Sequence, residues 1–185
     1  MSQNHANSYY EPHGRWWHCS ALIDGKLIIY GGNQLGTCAD GHIDLNAVYQ
    51  FDIATEKWKQ LLTSGTPPQA FRGVVCTAVK SFVYFFGGDE AGRNFSNELY
   101  CLDTSARKWS QLTPVNPESS PMAKSWASIV THTDSILVTF GGFGILPVSI
   151  HRGVQYVQHP FSGRFGNVGW TNELVCYHIE QSKFA

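Results

Sequence analysis

Short apolar runs, each closed by two glycines, set the rhythm of this chain. Lys26-Leu27-Ile28-Ile29-Tyr30 runs into Gly31-Gly32, Phe82-Val83-Tyr84-Phe85-Phe86 into Gly87-Gly88, and Ile136-Leu137-Val138-Thr139-Phe140 into Gly141-Gly142. A second block follows each pair: Asn46-Ala47-Val48-Tyr49-Gln50-Phe51-Asp52, then Asn97-Glu98-Leu99-Tyr100-Cys101-Leu102-Asp103, then Asn172-Glu173-Leu174-Val175-Cys176-Tyr177-His178. A large aromatic stands beyond each block, at Trp58, Trp109 and Phe184, and a basic residue (Arg15, Arg72 or Lys124) opens another apolar run before each glycine pair. Four features in one order, repeated at intervals of about 50 residues, define a structural repeat. The runs are short and rich in β-branched and aromatic residues, as strands are. Clusters of Gly, Asn, Asp and Pro at 36–41, 66–68 and 114–121 separate them. No stretch sustains a helical period, so the pattern predicts an all-β chain without a substantial helix over 14–185.

This period and layout resemble the kelch repeat, whose unit folds as one four-stranded antiparallel blade of a β-propeller. The resemblance implies a polar N-terminal segment over 1–13 and an incomplete kelch propeller over 14–185, with blades near 14–63, 70–113 and 122–185. Within it the glycine pairs, Gly31 and Gly32, Gly87 and Gly88, Gly141 and Gly142, are structural. They admit backbone angles closed to other residues and let a neighbouring segment come close. Trp58 and Trp109 are structural as well, packing between adjacent blades because one blade cannot bury its own faces. Three units fall short of the several blades that typically close a ring, so the expectation is the front half of a longer propeller.

Composition narrows the partners. The chain has 185 residues, 43% of them hydrophobic, enough for a core, and a net charge of −1 without any Lys/Arg run. Nothing marks a nucleic-acid or anionic-membrane surface, and no run reaches the length of a membrane span. Residues 1–12 lack the apolar centre of a secretory signal, which points to the cytoplasm or nucleus. Five cysteines form no Cys-x-x-Cys pair. Cys19 and Cys76 lie four residues after a unit's opening basic residue, and Cys101 and Cys176 four residues after an Asn. All four are expected buried at equivalent strand positions, as small hydrophobes in a reducing compartment. Cys38 falls in a loop.

No motif carries catalysis. The eight histidines show no metal spacing, Gly142-Phe143-Gly144 is followed by Pro147 and opens no phosphate-binding helix, and no nucleophile elbow is present. No catalytic residue, metal or cofactor is assigned, and the chain is not expected to be an enzyme. The alternative, a fragment of a galactose-oxidase-like enzyme, requires tyrosines and histidines converging on a metal, and no such set is identifiable.

The third unit departs from its siblings. Between glycine pair and Asn block, the first two units place residues 33–45 and 89–96, whereas the third places 143–171, with His151, Arg152, Tyr156, His159, Phe161, Arg164, Phe165 and Trp170 among them. Long loops in compact domains are usually functional, and mixed aromatic and basic side chains suit a peptide-binding surface; a loop capping its own blade is the other reading. The run Phe140-Gly141-Gly142-Phe143-Gly144-Ile145-Leu146-Pro147, followed by the insert and Gly169-Trp170-Thr171-Asn172, resembles the third blade of the kelch domain-containing protein 2 subfamily. That resemblance implies a propeller that captures the C-terminal tail of a protein, favouring a diglycine end, as substrate receptor of a cullin-2 ubiquitin ligase with the elongin B/C adaptor. Carried onto this chain, the peptide-binding residues are Lys124, Phe143 and Trp170, with Phe143 standing where the subfamily has tyrosine. The arginines that grip the carboxylate, and the segment that recruits the adaptor, lie beyond these three units. A general kelch scaffold for cytoskeletal or signalling partners is the competing reading.

Overall fold

The computed structural model describes residues 11–33, 45–69, 72–90, 94–145 and 168–185. Cys38 and most of the third unit's insert, 146–167, lie outside them. The described residues are all-β, with two three-residue 3-10 turns at Pro117–Ser119 and Thr133–Ser135 and no α-helix. Three four-stranded antiparallel sheets follow one another as the blades of an incomplete kelch propeller.

The first blade is β1 (Trp16–Ile23), β2 (Lys26–Asn33), β3 (Val48–Asp52) and β4 (Lys57–Leu61), in sequential order. The second holds β5 (Val75–Val79), β6 (Phe82–Phe86), β9 (Leu99–Asp103) and β10 (Lys108–Leu112), with a two-stranded ribbon, β7 (Asp89–Glu90) and β8 (Asn94–Phe95), projecting from its middle hairpin. The third holds β12 (Ser128–His132), β13 (Ile136–Phe140), β16 (Leu174–His178) and β17 (Lys183–Phe184). Its projecting sheet has three strands, β11 (Lys124–Ser125), β14 (Phe143–Ile145) and β15 (Val168–Trp170). The third unit's insert therefore begins and ends in the same outgrowth that the second blade makes with β7 and β8.

Local chemistry explains the repeated punctuation. All six glycines of the pairs have φ between 69° and 104°, in the left-handed region. A Cβ on Gly32 would lie 2.8 Å from the Trp16 carbonyl oxygen, and one on Gly142 2.9 Å from that of Ser125. The Asp that ends the second block is a turn-former. Asp52 Oδ1 accepts from the Thr55 amide at 3.0 Å, and Asp103 Oδ1 from Ser105 and Ala106 at 2.8 and 2.9 Å. These bonds hold the Asp52 carboxyl below its ordinary pKa.

Alternation along each strand sends side chains to two faces, a leading face toward the next blade and a trailing face toward the previous one. The first blade's leading residues Ile28, Tyr30 and Val48 pack with the second blade's trailing Val83, Phe85 and Trp109. The second blade's leading Tyr84, Phe86 and Leu99 pack with the third blade's Leu137, Val175 and Phe184. Trp109 is 2% exposed; its ring lies 5.1 Å from Tyr30 and 4.8 Å from Phe85, and its indole N–H donates to Thr63 Oγ1. Phe184 sits in the equivalent place, its backbone clasped by the Asn116 side chain at 2.8 and 2.9 Å. Trp58 is different. It is half-buried on the first blade's trailing face against Phe51, in a small cluster with Ile29, Ala47 and Tyr49, and among the described residues no further blade covers it.

The cysteine register differs from the expectation. Cys19 pairs with Tyr30 but Cys76 with Phe85, so the two are one residue out of step and belong to opposite faces of their blades. Both therefore border the same inter-blade core, Cys19 buried and Cys76 half-buried. The cause is a shorter entry to the second blade. The first left-handed residue comes two positions after Arg15, at Trp17, but one position after Arg72, at Gly73. Cys101 is buried and Cys176, on the third blade's uncovered leading face, is only half-buried.

Candidate peptide-binding face

One end of the three blades gathers an aromatic strip. The strand entries are tied there by backbone hydrogen bonds: the Gly73 amide donates to the Trp17 carbonyl at 3.0 Å, and the Trp126 amide to the Gly73 carbonyl at 2.8 Å. Trp17, Gly73 and Trp126 are equivalent left-handed residues, with φ of 59°, 64° and 56°. Glycine takes this conformation without strain, whereas a bulky side chain there costs on the order of 1–3 kcal/mol. The Trp17 and Trp126 rings, tilted 56° to each other with centroids 5.5 Å apart, meet across the notch that Gly73 leaves. A Cβ on Gly73 would stand 2.6 Å from the Trp126 indole nitrogen, so the missing side chain seats that ring.

The projecting sheet of the third blade continues the strip. Phe143 and Trp170 are direct cross-strand partners of β14 and β15, their rings edge-to-face at 5.3 Å. Trp126 lies 6.0 Å from Phe143 and 6.4 Å from Trp170, and Phe95 of β8 lies 5.9 Å from Phe143. Six aromatics, with Trp16 beside Trp17 at 6.0 Å, thus run from the first blade to the third. Trp17 is 45% exposed and Trp170 52%, a large apolar area for two rings to leave in water.

The cations beside the strip have partners. Arg72 donates to Asp89 Oδ1 at 2.8 Å and lays its guanidinium over Trp17 at 4.9 Å and Trp126 at 5.9 Å. Lys124 is in β11, directly opposite Gly144, so the fold does bring Lys124, Phe143 and Trp170 into one small sheet. Its side chain, however, is fully buried, with Nζ 2.6 Å from Glu173 Oε2 and 6.0 Å from the Phe86 ring. The sequence placed Lys124 toward a ligand; its ammonium is engaged inside the blade by a carboxylate that the second block supplies. Arg15 turns to the first blade's trailing side, donating to the Gly31 carbonyl at 3.0 Å and lying over Tyr49 at 4.9 Å. Burial and the charge of Arg15 together lower the pKa of His18.

Sequence reasoning missed Trp17, Trp126 and Phe95. A signal existed for the first two: each stands two residues after a unit's opening basic residue, Arg15 or Lys124. Among the described residues no group of three His, Cys, Asp or Glu side chains is disposed to hold a metal ion, and no helix is long and apolar enough to cross a membrane.

The KLHDC2/KLHL20/DRC7 kelch-repeats domain model matches residues 3–184. Human kelch domain-containing protein 3 is 33% identical over 171 residues, covering 91% of this chain and 37% of its own length. The Rab9 effector protein with kelch motifs of Xenopus laevis is 40% identical over 92 residues, covering 49% of this chain and 24% of its own length. Kelch domain-containing protein 10 of Xenopus tropicalis is 28% identical over 124 residues, covering 66% and 29%. The chain thus spans little more than a third of the human relative.

Proposed function

We propose, from the premise that this chain belongs to the KLHDC2/KLHL20/DRC7 kelch-repeats domain family, that it is a protein-interaction module whose aromatic strip receives an extended peptide. The observation that carries this reading is the pair of tryptophans, Trp17 and Trp126, held in left-handed backbone where glycine serves at the equivalent Gly73. Strain retained at one end of a scaffold, together with exposed aromatic rings, is what a binding surface shows. Loops and strand entries of successive blades converge there, so one peptide touches several blades.

The finer reading is that the peptide is a protein's C-terminal tail, with the parent protein acting as substrate receptor of a cullin-2 ubiquitin ligase through elongin B/C in the cytoplasm or nucleus. Phe143 and Trp170 support it, since two rings at one edge pack the flexible backbone of a diglycine end. Lys124 contributes by holding Glu173 and fixing β11 beneath Phe143 and Trp170. The tail's carboxylate then draws its charge-assisted hydrogen bonds from residues other than Lys124 and Arg72. The test is fluorescence polarisation of the longer parent protein with a peptide ending in Gly-Gly as free acid against the same peptide amidated. Preference for the acid, weakened by Trp170→Ala, supports tail capture; equal binding of the two overturns it. A general scaffold for other partners is the second reading, favoured by the kinship to a protein named as a Rab9 effector.

A further inference from the structure

We infer that the strip is a two-anchor reader of uncharged sequence: it takes two apolar side chains four residues apart, one on Trp170 and Phe143, the other on Trp17. This rests on the peptide-binding reading but not on a C-terminal carboxylate. Three observations lead to it. The first is spacing. Centroid separations of 6.4 Å from Trp170 to Trp126 and 5.5 Å from Trp126 to Trp17 give a span of up to roughly 12 Å, which an extended chain at about 3.3 Å per residue crosses in about four residues, a spacing that returns both side chains to the same face. The second is exposure. Trp17 and Trp170 are the open rings of the strip, while Trp126 between them is half-buried, so the strip offers two anchor points with a floor joining them. The third is charge. Arg72 is paired with Asp89 and Lys124 with Glu173. Among the described residues the two cations bordering the strip, Arg72 and Lys124, are each balanced by a carboxylate, so a charged ligand side chain gains no partner from them while losing its own hydration.

Trp17 is the residue by which this inference stands apart from tail capture. It belongs to the first blade, far from Phe143 and Trp170 in sequence, and a reader of the last two residues of a tail has no need of it. Its conformation also supplies a clean variant. Trp17→Gly keeps the left-handed backbone and its hydrogen bond to Gly73 while deleting the ring, as Gly73 itself does in the second blade.

The experiment is fluorescence anisotropy with capped ten-residue peptides in a Gly-Ser background. They carry two leucines four apart, two leucines on adjacent positions, a single leucine, or two glutamates four apart. The four-apart leucine peptide is expected to bind about tenfold more tightly than the single-leucine and glutamate peptides, a usual gain for a second buried anchor. Trp17→Gly should reduce it to the single-leucine level without lowering the melting temperature, Trp170→Ala should do the same, and Leu62→Ala, on a residue 80% exposed outside the strip, should change nothing. The inference is overturned if spacing has no effect, if the glutamate peptide binds as well, if no capped peptide binds, or if Trp17→Gly keeps the four-apart preference. A free-acid Gly-Gly peptide that still prefers the acid in Trp17→Gly would leave tail capture standing while this inference fell.

Discussion

The leading faces of the second and third blades carry the same repeat positions in different surroundings. Phe86 and Leu99 are 1% and 2% exposed; Phe140 and Leu174, their counterparts before the glycine pair and after the Asn-Glu dipeptide, are 52% and 62% exposed. The register of the central strand pair and the glycine conformation are the same in both. The difference is the neighbour: Leu137, Val175 and Phe184 cover the second blade, and among the described residues nothing covers the third. Side-chain identity therefore fixes which face a residue points to, while the next unit fixes whether pointing there buries it.

The comparison breaks first at the aromatics. Trp109→Ala and Phe86→Ala should each destabilise by about 3–5 kcal/mol, the usual cost of emptying a packed aromatic site. Phe140→Ala should cost less than about 1 kcal/mol, as partly exposed positions do, and Trp58→Ala should fall between. Urea unfolding of the four variants checks the order, and equal losses at Phe86 and Phe140 would refute it.

Next in size is the buried ion pair. Lys124→Met leaves Glu173, still largely enclosed, without its ammonium, and should cost about 2–4 kcal/mol. Replacing both partners by apolar residues should restore most of that stability, because the cost comes from the stranded carboxylate rather than from the loss of the pair. A double variant as unstable as the single one would show that Lys124 contributes chiefly by its packing.

Thiol chemistry sharpens the comparison with less perturbation. Cys101 and Cys176 are equivalent, but burial pushes the Cys101 thiol up to about 12. The thiolate is the reactive form, so Cys101 should stay nearly inert at pH 8 while half-buried Cys176 labels well ahead of it. Peptide mapping after a brief alkylation of the folded protein gives the ratio, and similar rates would mean that the blade faces open together. The smallest expected effect on stability is that of Phe140→Ser with Leu174→Ser. It should leave the unfolding midpoint nearly unchanged and reduce self-association in light scattering, since these side chains form part of an exposed sheet face.

Much of this architecture was legible because its repeating features are steric. A glycine pair in left-handed backbone leaves the same letters in each unit, and an Asp that closes its own turn does so in the first two, where the third has His178. Trp109 and Phe184 were readable for the same reason. The cysteine register was not: counting from Arg15 and Arg72 misses the shorter entry at Gly73, and one residue of slip exchanges the two faces of a strand. Lys124 was legible as a unit's opening residue, but its carboxylate partner lies 49 residues downstream and no local pattern joins them. Trp17 and Trp126 were not singled out, because a positive φ has no signature when the residue is not glycine.

The backbone bonds that link Trp17, Gly73 and Trp126 have one more consequence. They are made by amides and carbonyls, so the joint forms with glycine or with tryptophan, the tryptophans bearing the left-handed strain and Gly73 leaving the notch that the Trp126 ring fills. Glycine and tryptophan both occupy the position, and the joint is the same with either. At the two outer positions the site works as a fitting on a fixed hub: descent can exchange the ring it displays, and with it the peptides the face accepts, while the backbone joint between the blades stays as it is.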